Sequence, residues 1–320
     1  MITVLAGGVG AARYLAGLVQ VIDADDVTAV VNTGDDVWLH GLRVCPDLDT
    51  LTYTLAGAVD AERGWGLVGE TWAAMNALAR YEQAAPPASS AGLTWFRLGD
   101  RDLATHLYRT ARLGEGADLA EVTGEVTAAW GVGCRLVPMT NDTVETRLTP
   151  ADAERADELG FQEYFVQHRH SVVVSAVRFA GAEAARPGPG VLAAIAGAER
   201  VVVAPSNPIV SIGPILAVPG VADALAARRA DVVAVSPIVA GAALRGPADR
   251  LLAELGHQPS VVGVARLYAP WAATLVVDEA DAGRAGEVEA AGMRCVVGLT
   301  VMHGPAEGAA LARLTLASPA

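Results

Sequence analysis

Short apolar runs rich in β-branched residues alternate with helically spaced segments in this chain, and this alternation restricts the possible folds more than any other feature. Helical spacing occurs around residues 190–198, 221–229 and 247–255. The apolar runs beside these segments cover residues 172–177, 201–204, 232–235 and 273–277. Strands that are apolar throughout and separated by helices are typical of a parallel sheet covered on both faces. The pattern therefore predicts an α/β fold with a mostly parallel sheet.

The beginning of the chain follows the same pattern and adds glycines. Residues 2–5 are apolar or β-branched, the turn Ala6-Gly7-Gly8-Val9-Gly10 follows, and helical spacing resumes at Tyr14. A strand, a glycine-rich turn and a helix offer backbone N–H groups and a helix N-terminus to a phosphate group. Glycines here also serve simply to turn the chain tightly. We expect phosphate or nucleotide binding at this turn, with Arg13 as an anion ligand or as a solvated side chain.

The charged residues exclude several kinds of chemistry. The chain of 320 residues has a net charge of −13, and its 23 basic residues are all arginines because it contains no lysine. Nucleic acids and anionic membrane surfaces attract basic patches, so neither is an expected partner. A Walker-type phosphate lysine, a Schiff base and a lysine general base are excluded. Any bound anion must be held by arginine, by backbone N–H groups or by a metal ion.

The sequence predicts a cytoplasmic protein. It has no uninterrupted apolar run of about eighteen residues, which a membrane span would need, and its N-terminus lacks the basic region of a signal peptide. The cysteines Cys45, Cys134 and Cys295 lie far apart without CxxC spacing. Such isolated cysteines are typical of a reducing compartment.

An acidic stretch follows the apolar run at residues 27–31 and contains Asp35, Asp36, Asp47 and Asp49. Carboxylates this close together repel one another unless a cation or hydrogen-bond donors hold them. Beside phosphates the usual cation is Mg²⁺, which prefers oxygen ligands. A solvated loop with Asx turns is a simpler interpretation, and capping of the helix expected from about Thr50 would explain one of Asp47 and Asp49. The stretch alone leaves these interpretations open, and any Mg²⁺ ligands are expected among its four aspartates.

Two further polar stretches are candidates for ligand binding. The segment from Trp95 to Asp102 combines two aromatic residues with arginines and aspartates, which suits the stacking of a ring and the pairing of anions. Its alternative is a helix entry in which Asp100 is a cap. The loop Pro205-Ser206-Asn207-Pro208 follows a predicted strand, and its asparagine can read a nucleobase edge. Its alternative is an ordinary turn between a strand and a helix.

Taken together, these stretches resemble the 2-phospho-L-lactate transferase family of coenzyme F-420 biosynthesis, over essentially the full length of the chain. The matching stretches are Gly7-Gly8-Val9-Gly10, Asn32 to Asp36, Cys45-Pro46-Asp47-Leu48-Asp49-Thr50, Trp95 to Asp102, Pro205-Ser206-Asn207-Pro208 and Ala234-Val235-Ser236-Pro237. The resemblance implies a Rossmann-like, doubly wound core with a smaller substrate-covering region, generally in a homodimer. We assign residues 1–60 and 171–320 to the core. Residues 61–170 are assigned to a mostly helical region with a hairpin, whose turn is predicted at Asn141 and Asp142.

The resemblance also implies an activity. A phosphoenolpyruvyl or 2-phospho-L-lactyl group passes from a guanylylated diphosphate donor to the 5′-hydroxyl of the deazaflavin riboside Fo, and GMP is released with the assistance of Mg²⁺. The sequence leaves both donors open. A phosphoryl transfer of this kind needs positioning and charge neutralisation more than a covalent intermediate.

The family's site residues carry over to this chain motif by motif. The implied catalytic residues are Asp47 and Asp49, as metal ligands or, for Asp47, as the base that accepts the hydroxyl proton. The implied Fo-binding residues are Asp47, Thr50, Arg97 and Asp100. The implied nucleotide-binding residues are Gly7, Gly8, Gly10, Arg13, Asn32, Ser206, Asn207 and Pro208. Where the family's glycine turn is often followed by lysine this chain has Arg13, whose hydrogen-bond geometry differs.

Two other functions compete with the transferase. A related family of similar fold binds nucleotide sugars without catalysis, and its acidic stretch resembles DDGGSSGRLR, whereas this chain has DDVWLHGLRVCPDLDT. A nicotinamide dehydrogenase would have a single acidic residue after the second strand for the ribose. The acidic stretch and the polar loop at residues 205–208 favour the transferase over both.

Overall fold

The computed structural model describes residues 1–86, 89–152 and 157–318, and its N-terminal part begins as the sequence predicts. The elements in chain order are β1 (Ile2–Ala6), α1 (Gly8–Leu18), β2 (Val27–Val31), β3 (Val37–Leu39), β4 (Leu42–Val44) and α2 (Pro46–Leu55). All residues of β1 and β2 are buried. Helix α2 begins at Pro46, a residue whose fixed φ and missing N–H suit the first helical position. Asp47 and Asp49 therefore lie inside the first turn of α2 rather than before it.

A mostly helical segment follows. It contains α3 (Ala73–Leu78), α4 (Asp102–Gly114) and α5 (Leu119–Ala129), after which the chain forms β5 (Arg135–Pro138). Helix α5 begins with a capping box between Asp118 and Glu121, which satisfies two backbone N–H groups at its N-terminus. Strand β5 pairs in parallel with β2. The range 61–170, predicted as a separate region, thus supplies one edge strand of the central sheet.

A separate antiparallel sheet comes next, built from β6 (Glu145–Pro150), β7 (Leu159–Gly160) and β8 (Val174–Ala180) in the order β7-β6-β8. Two predictions for this part are wrong. Asn141 and Asp142 do not form a hairpin turn, because β5 and β6 belong to different sheets. The run at residues 172–177 does not join the parallel sheet, because β8 pairs antiparallel with β6. An apolar run identifies a strand but not the strand's neighbour, which tertiary contacts select.

The rest of the chain alternates between strands and helices. Its elements are α6 (Val191–Gly197), β9 (Arg200–Val203), α7 (Gly213–Ala217), α8 (Val221–Ala226), β10 (Val232–Val235), β11 (Ile238–Val239), β12 (Ala242–Ala243), α9 (Ala248–Glu254), α10 (Val261–Tyr268), β13 (Thr274–Asp278), α11 (Ala285–Ala290), β14 (Arg294–Gly298) and α12 (Pro305–Ala317). Across the described ranges, no helix is long and apolar enough to cross a membrane.

The central sheet has seven strands in the order β14-β13-β10-β9-β1-β2-β5, and every pair is parallel. Alternate residues of β1 point to opposite faces of the sheet. Leu5 packs into the apolar core on one face, and Val4 packs into the core on the other. The predicted α/β fold with a mostly parallel sheet is confirmed. The strand order reverses between β1 and β9, and ligands bind at such a switch point beyond the carboxyl ends of the strands.

Candidate active site

A cavity of about 660 Å³ lies at this switch point. Its lining includes the glycine turn after β1, the first turns of α2, the loop at residues 205–207 after β9 and Ser236 after β10. Residues of the segment between α2 and α4 and of the segment 161–166 cover the other side. This volume is typical of a site for a small molecule or cofactor. The cavity brings together stretches that are about 200 residues apart in the sequence.

The glycine turn is in close contact with its neighbours. A Cβ atom at Gly7 would lie 2.9 Å from Asp47 Oδ2 and 2.9 Å from Ser211 Cβ, and one at Gly10 would overlap the carbonyl oxygen of Pro205. Gly8 has a φ of +72°, in the left-handed region that glycine adopts without strain. These glycines let the N-terminus of α1 approach Asp47 and the 205–207 loop, which no side chain would allow.

The loop after β9 is bonded to this turn. Ser206 Oγ donates to the carbonyl oxygen of Gly7 at 2.8 Å. Asn207 Oδ1 accepts hydrogen bonds from the amides of Ile209 and Val210, so its own side-chain N–H groups are the ones available to a ligand. Pro208 is buried and does not line the cavity. Ser206 and Asn207 therefore remain candidate ligand-binding residues, whereas Pro208 shapes the loop.

Asp47 is a buried carboxyl at the centre of the site. Asn32 Nδ2 donates to Asp47 Oδ2 at 2.9 Å, and the Asn32 side-chain oxygen accepts from the Gly34 amide. Burial raises the pKa of Asp47 to about 7, although the Asn32 hydrogen bond opposes this shift. Asn32 lies outside the cavity lining, and its contacts position Asp47 rather than a nucleotide.

Asp35 lines the same cavity beside Asp47. Its Oδ1 atom is buried and has no hydrogen-bond partner within the described part of the chain. Burial and the charge of Asp47 raise the pKa of Asp35 well above its ordinary value. Two adjacent carboxyls without a compensating positive charge suit a divalent cation with oxygen ligands, and Asp35 and Asp47 are the residues that fit one.

The other two aspartates of the acidic stretch are neutralised by arginines. Asp36 forms an ion pair with Arg43 at 3.0 Å and does not line the cavity. Asp49 lines the cavity but accepts from both terminal nitrogens of Arg109, with Nη1 at 3.2 Å from its Oδ2. Predicted as metal ligands from the sequence, Asp36 and Asp49 are instead held by guanidinium groups. Thr50, on the next position of α2, lines the cavity as well.

Helix α4 carries three polar residues that the sequence analysis did not assign to the site. Asp102, His106 and Arg109 are spaced at i, i+4 and i+7, which places them on one face of the helix, against α2. Asp49, Asp102 and His106 each offer a ligand atom, and these atoms lie within 4.8 Å of one another. The signal in the sequence was polar residues at helical spacing. Because a polar helical face is usually solvated, spacing alone does not distinguish a face in a ligand site from a face in solvent.

Arginine and tryptophan side chains stack in the wall near α3. The guanidinium groups of Arg63 and Arg97 lie 5.5 and 5.3 Å from the ring centre of Trp72, and all three residues line the cavity together with Trp65, Trp95 and Phe96. Arg97, predicted to bind Fo, is thus in the cavity. Asp100 is not, because its carboxylate accepts from the amides of Ala73 and Ala74 and caps α3.

Positive charge is concentrated on the side of α1. Arg13 Nη1 donates to the Met302 carbonyl at 3.0 Å, and Arg245 Nη1 donates to the Arg63 carbonyl at 2.9 Å. Both arginines line the cavity, and neither forms an ion pair with a carboxylate of residues 1–86, 89–152 or 157–318. Burial and the charge of Arg245 lower the pKa of Arg13. This side of the cavity suits an anion.

Comparisons with known proteins identify the family of the chain. The family model described as 2-phospho-L-lactate transferase CofD matches residues 2–291. A phosphoenolpyruvate transferase of Streptomyces griseus is 47% identical over 320 residues, covering 98% of this chain and 97% of the relative. The phosphoenolpyruvate transferase of Kitasatospora aureofaciens is 44% identical, with coverage of 99% and 97%.

A solved structure supports the fold. The crystal structure of a UPF0052 family protein from Bacillus halodurans superposes with a TM-score of 0.61 at 15% identity, and 98% of each chain is covered. At this identity the likeness concerns the arrangement of strands and helices alone.

Proposed function

The chain belongs to the 2-phospho-L-lactate transferase CofD family and is a transferase of that family, and we propose that it transfers a phosphoenolpyruvyl group from a guanylylated diphosphate donor to the 5′-hydroxyl of Fo. The observation that carries this proposal is the single cavity in which the glycine turn, the Ser206-Asn207 loop and Asp47 meet an aromatic wall. The relatives named phosphoenolpyruvate transferases favour the enolpyruvyl donor over the lactyl donor.

The reaction is a displacement at phosphorus. The 5′-hydroxyl oxygen forms a bond with the phosphorus of the phosphoenolpyruvyl group, and the bond from that phosphorus to the bridging oxygen breaks. GMP leaves with the bond's electron pair, and the hydroxyl proton moves to Asp47. The carboxylate of Asp47, buried in the wall of the cavity, is suited to accept this proton.

The donor nucleotide is assigned to the side formed by α1 and the loop after β9. The amides at the N-terminus of α1 and the two arginines Arg13 and Arg245 supply the positive potential that a diphosphate needs in a chain without lysine. The free side-chain N–H groups of Asn207 are suited to an acceptor atom on the guanine or ribose.

The acceptor is assigned to the opposite side. A flat deazaflavin ring fits a wall of tryptophans and arginines, because both side chains stack on aromatic surfaces. Arg97 and Trp72 in this wall are candidates for direct ring contact. The ring's attached chain would then point towards α2, where Asp47 and Thr50 lie.

Mg²⁺ is proposed as the cofactor, with Asp35 and Asp47 as the residues that would hold it. Both are buried, both line the cavity, and neither is paired with an arginine of the described ranges, unlike Asp36 and Asp49. When bound between carboxylates and phosphate oxygens, the ion would neutralise charge that develops during the transfer.

The test is a direct assay of the products. The protein is incubated with Fo, Mg²⁺ and either the enolpyruvyl or the lactyl form of the guanylylated donor, and mass spectrometry detects the phosphodiester and GMP. We expect both products with the enolpyruvyl donor. Tight nucleotide binding without product from either donor would reject the transferase and favour a nucleotide-sugar-binding regulator.

A further inference from the structure

Asp102 is a carboxylate that faces the cavity but belongs to none of the groups that handle phosphate. It begins α4, lines the cavity, and its side chain is 17% exposed. Tyr53 donates its hydroxyl hydrogen to Asp102 Oδ1 at 2.5 Å. His106 Nε2 lies 3.3 Å from Asp102 Oδ2. Asp102 Oδ1 thus has a hydrogen-bond donor behind it, Oδ2 lies near an imidazole nitrogen, and each oxygen keeps a lone pair for a ligand.

The contacts of His106 fix the direction of its hydrogen bonds. Arg109 Nη1 lies 3.4 Å from His106 Nδ1. Because a guanidinium group can only donate, His106 Nδ1 accepts, and the ring hydrogen is assigned to Nε2 on the side of Asp102. Tyr53 is therefore the hydrogen-bond donor to Asp102, whereas the His106 N–H faces Asp102 Oδ2 without forming a hydrogen bond within the described part of the chain. Arg109 orients the histidine.

These two neighbours keep Asp102 in its charged form. Although burial raises the pKa of Asp102, the adjacent His106 and the Tyr53 hydroxyl lower it below the ordinary value. A charged carboxylate can only accept hydrogen bonds, so the group that fits against it must be a donor.

A neutral donor fits this position better than a metal ion. A cation bound by Asp49, Asp102 and His106 would lie next to the guanidinium of Arg109, which already occupies both oxygens of Asp49. It would also need a free lone pair on the histidine nitrogen, and both ring nitrogens face protein partners. A hydroxyl group carries no charge for Arg109 to repel, and it needs no lone pair from the histidine.

Asp102 is connected both to the helix that carries Asp47 and to the segment that carries Trp72. Its partner Tyr53 is six residues after Asp47 on α2, which corresponds to about 9 Å along the helix axis. The Asp102 amide donates to Glu70, two residues before Trp72, and Trp72, Trp95 and Arg97 line the same cavity. A ligand whose ring rests on the aromatic wall and whose terminal hydroxyl reaches Asp47 would pass its connecting chain by Asp102.

We propose that Asp102 accepts hydrogen bonds from the hydroxyl groups of the acceptor's polyol chain, and that Tyr53 and His106 hold Asp102 in place for this purpose. The identity of the acceptor rests on the proposed function. The proposal makes Asp102 a binding and specificity residue for a polyhydroxylated chain, and it assigns Tyr53 and His106 as positioning residues.

The test compares two ligands by isothermal titration calorimetry, without turnover. One is Fo, and the other is the same deazaflavin ring with a pentyl chain in place of the polyol. The proteins are wild type, Asp102→Ala, Asp102→Asn and the control Glu115→Gln, an exposed residue at the C-terminal end of α4. GDP binding by each variant checks that the cavity is intact.

Wild type and Glu115→Gln are expected to bind Fo about 10- to 100-fold more tightly than the pentyl analogue, the range for hydrogen bonds to a charged group. In both Asp102 variants this preference should fall to within about threefold while GDP affinity stays unchanged. Tyr53→Phe and His106→Gln should lower the preference partially, since the first removes the hydrogen bond to the carboxylate and the second replaces the ring beside it.

Three results separate the possibilities. If the affinity of the Asp102 variants falls by the same factor for Fo and for the pentyl analogue, Asp102 does not bind the hydroxyl groups. The proposal is then wrong, whatever the product assay gives. If the preference depends on Asp102 but no phosphodiester forms, the proposal stands and the transferase function fails. If wild type does not bind Fo, both fail.

Discussion

At the scale of single residues, four aspartates of one stretch have different roles because their neighbours differ. Asp36 and Asp49 face the guanidinium groups of Arg43 and Arg109 and are neutralised there. Asp35 and Asp47 are equally buried, but no guanidinium group in the described part of the molecule is paired with them. Unpaired buried carboxyls are costly to the folded state, and such groups concentrate at functional sites.

Replacing Asp47 by Asn should abolish turnover and stabilise the protein at the same time. The amide oxygen can still accept from Asn32, but it neither takes up a proton nor brings a negative charge. We expect the rate of phosphodiester formation to fall at least about 100-fold. The free energy of unfolding at pH 8 should rise on the order of 2 kcal/mol, because a buried charge is removed. Product assays and chemical denaturation measure the two effects, and a slow variant that is also less stable would point to a damaged fold.

The stability of the ligand-free protein should depend on pH through the same groups. Burial raises the pKa of Asp47 to about 7 and, despite Arg43, that of Asp36 to about 6. A carboxyl whose pKa is higher in the folded than in the unfolded state binds more protons when folded, so stability increases as pH falls through its folded pKa.

With a chelator present, we therefore expect a higher melting temperature at pH 5.5 than at pH 8. In Asp47→Asn the difference should shrink, because one of the carboxyls with a raised pKa is gone. Identical pH profiles for the variant and wild type would show that Asp47 does not titrate in this range.

At the scale of elements, the site depends on how closely α1 approaches the loop after β9. Gly10 lies against the carbonyl oxygen of Pro205, and Ser206 is bonded to the backbone of Gly7. The resulting unit holds the N-terminal amides of α1 beside Asp47. Its geometry depends on backbone atoms that cannot move independently of β1 and β9, so little relaxation is available.

Gly10→Ala is expected to separate these elements. The added Cβ would overlap the Pro205 carbonyl, which should cost about 1–3 kcal/mol of stability and weaken GDP binding. Gly124→Ala is the matched control, because a Cβ at this exposed position in α5 meets nothing within 4 Å. The control should gain up to about 1 kcal/mol from helix propensity. Thermal denaturation measures the change in stability, and GDP titration measures the change in affinity. Unaltered GDP affinity in Gly10→Ala would contradict the role given to the turn.

At the scale of the whole molecule, the cavity is lined by distant parts of the chain, and Arg245 connects two of them. Arg245 follows β12 and donates to the carbonyl of Arg63, whose guanidinium stacks on Trp65 and Trp72. The same Arg245 lines the cavity with Arg13 on the side proposed for the donor. One side chain therefore links the proposed donor and acceptor sides.

Arg245→Met should weaken the binding of both substrates. Removal of the hydrogen bond to Arg63 loosens the aromatic wall, and removal of the charge reduces attraction for the diphosphate. We expect KM for Fo and for the donor to rise about 5- to 20-fold each, with kcat within about threefold of wild type. Arg245→Lys should recover the donor KM more than the Fo KM, since it keeps the charge but not the planar guanidinium. Steady-state kinetics with each substrate varied measures this, and an effect on the donor alone would argue against the link.

What the sequence determined by itself was the kind of fold and most of the local chemistry. Apolar runs with helices between them require a sheet buried on both faces, and a glycine turn after β1 marks the switch point. Most of the site residues predicted from motifs line one cavity. They are Gly7, Gly8, Gly10, Arg13, Asp35, Asp47, Asp49, Thr50, Arg97, Ser206 and Asn207. Such features are local, because periodicity and turn chemistry act between residues close in sequence.

The tertiary structure alone decided which polar groups compensate one another. The pairing of Asp49 with Arg109 joins residues 60 positions apart, and no pattern in either stretch indicates it. Capping of α3 by Asp100, the placement of β8 outside the parallel sheet and the contacts of Asp102 with Tyr53 are of the same kind. The physical reason is that the charge state and role of a buried group depend on burial and on partners within a few ångströms, and the fold chooses those partners from the whole chain.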